Sequence, residues 1–191
     1  MINYLATQKN WQNAFSDTIT SFAELAQALD LPIDSFDSQV GQFPLKVPRR
    51  FVQKMGKGDI HDPLLKQVLP TFQETVQVTG FVTDPLDEQH ANPVKGIIHK
   101  YASRVLIPVT GACVVNCRYC FRQHFDYHEN LPTQNDWQAI SAYITAHPAV
   151  NEVILSGGDP LSLSNRRLLE IFTTLEALPQ VQTIRIHTRV P

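Results

Sequence analysis

The sequence lacks several features that would assign it to a broad class at once. It has only three cysteines in 191 residues, all between positions 113 and 120. An odd cysteine number and a start without a basic, then apolar, leader argue against a secreted disulfide framework. No apolar run approaches the ~18 residues of a membrane helix, and a net charge of −2 favours neither nucleic acid nor an anionic membrane as partner. We therefore expect a cytoplasmic protein that binds no nucleic acid and no membrane.

The first half of the chain has the pattern of short helices separated by helix breakers. Its apolar positions recur at steps of three and four and predict one amphipathic helix ending before Pro32, built on Trp11, Phe15, Ile19, Phe22, Leu25 and Leu29. Two shorter helices are predicted, one opened by Pro48 and one capped by Asp62. We assign residues 1–95 to a helical N-terminal region.

From about residue 104 the pattern changes to strands that alternate with helices. Three apolar runs predict strands, "RVLIPVT", "NEVILSGG" and "VQTIRIHTRVP". The segments between them have helical spacing, and Ser164 is the predicted cap of the second helix. This order predicts a parallel α/β sheet buried on both faces. Two to three βα units make neither a closed barrel nor a comfortable open sheet, so we expect residues 96–191 to be a fragment of a larger α/β fold.

The three cysteines follow the first strand of this sheet. Cys113, Cys117 and Cys120 have the spacing C-x3-C-x2-C, and parallel α/β proteins place their chemistry at the carboxyl ends of strands. Thiolates are the ligands of iron–sulfur clusters and also bind zinc. On a four-iron cluster, three thiolates leave one iron open to a substrate or cofactor. An odd cysteine count is therefore what such a site predicts.

Three other interpretations of the cysteines stay open at this point. One is a structural zinc bound by the three thiolates and either His124 or His128, although zinc sites favour paired C-x2-C units. Another is three unrelated buried thiols. The third is a cluster used only for electron transfer, which usually has four cysteines.

The cysteine spacing, with Tyr119 just before the last cysteine, resembles the radical S-adenosylmethionine (SAM) superfamily. The resemblance implies that residues 96–191 are the amino-terminal part of a TIM-like (β/α) barrel. It also implies a [4Fe-4S] cluster on Cys113, Cys117 and Cys120, whose open iron chelates the amino and carboxylate groups of SAM. One electron passed to the sulfonium would cleave SAM and release a 5′-deoxyadenosyl radical, which abstracts a substrate hydrogen.

Two later segments fit the same resemblance. The turn "SGGD", formed by Ser156, Gly157, Gly158 and Asp159, resembles the glycine motif that meets the amino group of SAM. Asp159 is also a predicted cap of the next helix. On the last strand, Arg185, His187 and Arg189 alternate with other residues and share one face, which either lines a cleft or is simply exposed. His187 is a predicted contact of SAM or substrate.

The wider stretch "HKYASRVLIPVTGACVVNCRYCFRQHF" is similar to the lysine 2,3-aminomutase family. Together with "VPRRFVQKM", "DPLLKQVLP", "GFVTDPLDEQ", "SGGDPL" and "RIHTR", it most resembles the branch that makes (R)-β-lysine for elongation factor P. The resemblance implies conversion of (S)-α-lysine to (R)-β-lysine, with lysine as substrate and pyridoxal 5′-phosphate (PLP) as a further cofactor. It also implies an electron donor such as a flavodoxin or ferredoxin.

The family resemblance assigns roles to several basic residues. Arg122 matches the arginine that holds the substrate carboxylate, which suits its planar fork. Tyr101 and Arg104 match a segment near PLP, with Arg104 toward the phosphate; Lys100 stands where the family often has arginine. The alternative for Arg104 and Arg122 is a solvated or salt-bridged arginine on the surface.

The family's PLP-binding lysine and the acidic residues for the substrate ε-ammonium have no match in this chain, since they lie further along the family's sequence. We expect the chain to be the N-terminal part of such an enzyme, as a truncation or one part of a split protein, and not to isomerise lysine alone. Two rivals are an aminomutase for another amino acid and a non-catalytic, zinc-binding, cysteine-rich module.

Overall fold

The chain folds into a helical unit and a sheet unit. The computed structural model describes residues 17–36, 43–88, 90–120 and 122–190. The helical unit comprises the described residues up to Phe81 together with Val114–Gln123, and the sheet unit comprises Val82–Cys113 and the residues from His124 onward. The division between the units falls after Phe81, and the segment after Cys113 groups with the helical unit. The boundary near residue 95 stays a prediction. None of the helices in the described part of the chain is both long and apolar enough to cross a membrane.

The helical unit combines short helices with a two-stranded ribbon. Strand β1 (Thr18–Ile19) pairs antiparallel with β2 (Val47–Pro48). Helices α1 (Phe22–Leu29) and α2 (Arg49–Val52) follow these two strands. Three 3-10 turns complete the unit, at Ile33–Ser35, Leu65–Gln67 and Phe72–Thr75. Its core is apolar and centred on side chains without exposed surface: Ile19, Leu25, Val47 and Leu65.

The helix predicted to include Ile19 is wrong at that position. Ile19 lies in β1, and α1 begins only at Phe22. The helix ends at Leu29 and is followed by Asp30, whose φ of 55° is left-handed. Ile19 is β-branched, fits an extended backbone, and pairs with Val47. Tertiary pairing therefore overrides the helical spacing there. Trp11 and Phe15, predicted on the same helix, lie outside the described residues.

Asp62 caps its segment as predicted, although the segment forms a 3-10 turn and not an α-helix. Its Oδ1 accepts from the backbone N–H groups of Leu64 at 2.8 Å and Leu65 at 2.9 Å, and its Oδ2 accepts from Gly56 at 2.9 Å. These hydrogen bonds stabilise the ionised carboxylate and lower the pKa of Asp62.

The sheet unit has a four-stranded sheet in the order β3-β4-β5-β6. Strands β4 (Arg104–Thr110), β5 (Glu152–Gly157) and β6 (Thr183–Ile186) run parallel, as predicted. Sequence analysis missed β3 (Ile98–Tyr101), which pairs antiparallel with β4. The last strand is shorter than expected, because its ladder stops at Ile186.

Three helices accompany the sheet: α3 (Tyr127–Asn130), α4 (Asp136–Ala146) and α5 (Asn165–Glu176). The predicted cap of α5 is confirmed, since Ser164 Oγ accepts from Arg167 N at 3.3 Å. The core between strands and helices includes the fully buried Ile107, Ile140, Leu155 and Leu175. Strand β5 is buried as predicted, whereas β6 alternates between exposed and half-buried residues, so the prediction of burial on both faces is wrong for that strand. The parallel strands with their helices fit the predicted α/β class.

One buried carboxylate lies at the amino end of the sheet. The Glu152 side chain is 11% exposed, and its Oε1 lies 2.6 Å from Arg185 Nη2 on β6. On the other side, Arg104 Nε of β4 lies 3.5 Å from Oε2. A buried charge is costly unless it is paired. Glu152 of β5 therefore forms ion pairs with both neighbouring strands, with Arg104 of β4 and with Arg185 of β6.

Acid should weaken the fold through two capping carboxylates. Thr133 donates its backbone N–H and its hydroxyl to Asp136 Oδ2, both at 2.7 Å, and these bonds lower the pKa of Asp136, as the N–H groups do for Asp62. A folded pKa below the unfolded value of about 3.9 stabilises the fold above that pH, and the stabilisation is lost as pH falls through the folded pKa. We expect Asp136→Asn or Asp62→Asn to lower the melting temperature by about 2–4 °C at pH 7 and to flatten its decline toward pH 3. The exposed Asp34→Asn is the control, and a variant with the wild-type pH profile would contradict this assignment.

Candidate functional site

The segment with the three cysteines follows the end of β4, and its cysteines are divided between the two units. Cys113 comes three residues after Thr110, the last residue of β4, and belongs to the sheet unit. Cys117 and Cys120 belong to the helical unit. None of the three forms a disulfide; Cys117 is buried and the other two are half-buried. The predicted position, just after the carboxyl end of a parallel strand, is confirmed.

The helical unit holds the segment that carries Cys117. Asn116 donates its backbone N–H to the Lys46 carbonyl at 2.9 Å and its side-chain amide to the Pro44 carbonyl at 3.0 Å. The Arg118 backbone N–H donates to the Gln67 carbonyl at 2.8 Å. These bonds show that the N-terminal region supports the cysteine segment directly. Sequence analysis missed this role, because the acceptors are backbone carbonyls that no residue pattern signals.

Cys120 is surrounded by groups that act on its ionisation. Burial raises the pKa of the Cys120 thiol, and the nearby Cys117 raises it further. A hydrogen bond from the Arg122 backbone N–H and the charge of Arg122 act in the opposite direction. Arg122 is itself only 7% exposed. The alternative of a solvated surface arginine therefore does not hold for Arg122.

The donor set fits an iron–sulfur cluster better than a zinc ion. Among residues 17–36, 43–88, 90–120 and 122–190, no three or more His, Cys, Asp or Glu side chains are grouped to bind one metal ion. His124 is exposed, and the 94% exposed His128 pairs with Glu129 Oε1 at 3.0 Å. Three thiols of this spacing are ligands that iron–sulfur clusters use. The three thiols thus supply the donor type of an iron–sulfur cluster, although among the described residues neither they nor any other His, Cys, Asp or Glu side chains are gathered around one ion.

The glycine turn packs against the residues that precede Cys113. Gly157 has a φ of 108°, and a methyl group added there would lie 2.5 Å from the Thr110 carbonyl oxygen. At Gly158 the added methyl would lie 2.3 Å from the Ala112 carbonyl oxygen. Both positions therefore require glycine for close backbone approach within the protein. This approach places the turn beside the start of the cysteine stretch.

The backbone donors of this turn are already used. Gly158 N–H donates to the Thr110 carbonyl at 2.6 Å, and Asp159 N–H donates to the Ala112 carbonyl at 2.8 Å. With these two N–H groups bound inside the protein, a ligand at Gly158 and Asp159 could use only backbone acceptor atoms there. Acceptors suit an amino group, the part of SAM that the resemblance assigns to this motif.

Asp159 has a structural role that its position in the motif did not reveal. It is buried, and its carboxylate accepts from Leu161 N at 3.0 Å, Thr188 Oγ1 at 2.6 Å and Arg189 N at 2.8 Å. The first bond makes Asp159 the cap of the 3-10 turn Pro160–Ser162 and not of the next α-helix, which Ser164 caps. The other two connect the glycine turn to the segment after β6. Thr188 is thus a positioning residue that sequence analysis missed.

The basic residues near the last strand lie on an exposed face. Arg185 and His187 are both exposed, and the Arg185 guanidinium pairs with Glu152. The His187 backbone N–H, one residue beyond the end of β6, donates to the Leu155 carbonyl at 2.9 Å. Of the two interpretations of this face, the described structure shows the exposed one.

The residues predicted near PLP lie at the other end of β4. The Arg104 guanidinium carbon is 5.6 Å from the centre of the Tyr101 ring, and Tyr101 is 66% exposed. Lys100 Nζ bonds to the Leu86 carbonyl. Arg104 and Thr110 are the two ends of a seven-residue strand, about 20 Å apart at ~3.3 Å per residue. The structure therefore does not bring Arg104 together with Cys113, and it shows the salt-bridged alternative for Arg104.

Comparison with known proteins identifies the same region. A family model described as a 4Fe-4S single cluster domain matches residues 102–188, which include all three cysteines and the glycine turn. The L-lysine 2,3-aminomutase of Haemophilus influenzae is 44% identical over 96% of this chain, and that of Escherichia coli is 43% identical over 97%. The chain spans 55% of the length of both. The Clostridium subterminale L-lysine 2,3-aminomutase is 30% identical over 97% of the chain and 46% of its own length. Over the part of their length that it spans, the chain is therefore similar to proteins named L-lysine 2,3-aminomutase.

Proposed function

We propose that this chain provides the cluster- and SAM-binding part of an isomerase that converts (S)-α-lysine to (R)-β-lysine. The observation that carries the proposal is the set of three cysteines directly after a parallel strand, with a glycine turn packed on the residues before Cys113. The similarity to proteins named L-lysine 2,3-aminomutase supports the substrate and the reaction. Because the chain spans about half of those relatives, the complete reaction is proposed for a protein of their length.

The site residues divide into three proposed roles. Cys113, Cys117 and Cys120 would hold a [4Fe-4S] cluster with one iron open to SAM. Bound there, the cluster and SAM supply one-electron cleavage of the sulfonium as the source of radical chemistry. Tyr119, beside Cys120 and 63% exposed, is the proposed aromatic contact of SAM.

The glycine turn is proposed to accept hydrogen bonds from the amino group of SAM. Ser156, Gly157 and Gly158 form the contact surface, and Asp159 acts as a positioning residue through its bonds to Thr188 and Arg189. His187, exposed just beyond β6, remains a proposed contact of SAM or substrate.

Arg122 is proposed to bind the substrate carboxylate. A buried guanidinium offers a planar pair of donors to a carboxylate, and removal from water strengthens that contact. A carboxylate is common to all amino acids, so Arg122 does not select lysine. An aminomutase for another amino acid is therefore the second candidate, and product analysis with a panel of amino acids would identify it.

PLP is the proposed second cofactor, with Tyr101 and Arg104 near its phosphate. The ion pair between Arg104 and Glu152 competes with this role, because the carboxylate already occupies one side of the guanidinium. Delivery of (R)-β-lysine to elongation factor P, a flavodoxin or ferredoxin as electron donor, and a cytoplasmic location are proposed from the family branch and the cysteine usage.

Anaerobic reconstitution with iron and sulfide tests the proposal. We expect a brown protein with about four iron atoms per chain and broad absorption near ~400 nm. Addition of SAM should change the electron paramagnetic resonance (EPR) spectrum of the reduced cluster. A colourless protein that binds one zinc ion would support the zinc-binding rival. A protein of the relatives' length, supplied with PLP, SAM and lysine, should form β-lysine detectable by chromatography, and a different product would correct the substrate.

A further inference from the structure

A buried charge lies inside the cysteine segment itself. Arg118 follows Cys117 and precedes Cys120 by two residues. Its side chain is 8% exposed, and Nη2 lies against Glu74 Oε2 of the helical unit. Cys117, Cys120, Arg118 and Glu74 all belong to that unit. This ion pair therefore joins the segment to a point more than 40 residues earlier in the chain.

The pair is costly to break from either side. The three guanidinium nitrogens of Arg118 are buried and, apart from the contact of Nη2 with Glu74, none has a partner among the described residues, so Glu74 is the charge that compensates the cation. Burial lowers the pKa of Arg118, yet an arginine stays charged in proteins. Removing Glu74 would leave a buried, uncompensated cation, which is more damaging than losing a surface pair.

Glu74 is itself held in place. Its Oε1 accepts from the Thr71 backbone N–H at 3.2 Å, in a capping box at the start of the 3-10 turn Phe72–Thr75. The Arg118 backbone N–H also donates to the Gln67 carbonyl, which belongs to the preceding 3-10 turn Leu65–Gln67. Arg118 is thus fixed to two successive turns of the helical unit. Its backbone is bound to Leu65–Gln67 and its side chain to Phe72–Thr75.

We infer that the Arg118–Glu74 ion pair is a positioning contact that holds the Cys117–Cys120 segment in the conformation that retains the cluster. The inference rests on the cluster-binding part of the proposed function and not on the lysine reaction. Groups that orient metal ligands from outside the ligand set typically change metal retention by about 10–100-fold when removed. An ion pair that serves only general stability would not have that selective effect.

The test compares Arg118→Met, Glu74→Gln and Arg118→Lys after anaerobic reconstitution. The readouts are the rate at which an iron chelator removes the cluster, the EPR linewidth of the reduced cluster, and the melting temperature of each apoprotein. We expect Arg118→Met and Glu74→Gln to lose iron about tenfold faster than wild type, with a broadened EPR signal. Arg118→Lys keeps the charge and should restore most of the retention.

Arg49→Met is the matched control. Arg49 Nε lies 2.8 Å from Asp17 Oδ1, and the guanidinium also lies against Glu24, so this variant removes an arginine–carboxylate pair of the same unit that connects α1 and α2. It should lower the melting temperature without faster iron loss. If Arg118→Met does not fold, Glu74→Gln, which leaves the arginine in place, decides the matter.

The outcomes separate this inference from the proposed function. A wild-type protein that takes up no iron would overturn both. A stable wild-type cluster, with Arg118→Met and Glu74→Gln losing iron no faster than Arg49→Met at matched melting temperature, would overturn the inference alone. Failure of Arg118→Lys to restore retention would also count against it.

Discussion

Replacing Cys120 by serine is expected to abolish the iron–sulfur cluster. A serine hydroxyl is a harder and far less acidic donor than a thiol, and iron–sulfur clusters are held by thiolates. With three cysteines in the whole chain, no spare thiol can replace the lost one. After anaerobic reconstitution, bound iron should fall from about four to below about one per chain, with loss of the absorption near ~400 nm.

The apoprotein should be nearly unaffected by the same change. Cys120 is half-buried and in no disulfide, so serine fits its volume and the melting temperature should stay close to that of wild type. Cys113→Ser should behave in the same way. Ser141→Ala, which removes a half-buried hydroxyl that donates to the Trp137 carbonyl at 2.9 Å in α4, is the control and should retain full iron content. Full iron content with a SAM-sensitive EPR signal in Cys120→Ser would refute the ligand assignment.

The second large effect is expected for Gly158→Ala. The added methyl group would lie 2.3 Å from the Ala112 carbonyl oxygen and 2.8 Å from its carbonyl carbon. Both atoms belong to the backbone, so relief requires the turn or the residues before Cys113 to move. That movement would break the hydrogen bond from Gly158 N–H to the Thr110 carbonyl. We expect unfolding in urea to show a loss of about 1–3 kcal/mol or more, together with loss of the SAM-dependent change in the EPR spectrum.

Gly56→Ala provides a control for the added methyl group. Its nearest neighbour would be Asp62 Oδ2 at 3.4 Å, an ordinary contact distance. This variant should remain within about 0.5 kcal/mol of wild type and keep the response to SAM. Gly158→Ala with wild-type stability and an unchanged SAM response would show that the turn tolerates a side chain and that its close packing has no functional role.

The parts of the fold that depend on local pattern could be predicted from the sequence. Strands β4 and β5 are short apolar runs, and helices α4 and α5 have apolar residues at helical spacing. Ser164, Asp159 and Asp62 cap their segments because their side chains bond to backbone N–H groups only two or three residues away. The cysteine spacing and the paired glycines are local signals in the same sense.

The parts that depend on distant pairing could not be predicted. Ile19 fits a helical spacing equally well, and only its pairing with Val47 makes it a strand residue. The segment Ile98–Tyr101 has two polar residues among four and becomes a strand through its pairing with β4. The supports of the cysteine segment are of the same kind, because Asn116 reaches back about 70 residues to the Pro44 carbonyl.

The ion pairs of Glu152 with Arg104 and Arg185 also affect the carboxyl ends of the strands. In a ladder of apolar strands, sliding one strand by two residues keeps every side chain on its own face, so hydrophobicity alone does not prevent such a slip. A slip of that size would separate Glu152 from Arg104 and Arg185 and leave a buried carboxylate uncompensated. The two arginines therefore favour the observed register of the strands. The same register sets where Ala112 and Gly158 meet, just beyond the carboxyl ends of β4 and β5.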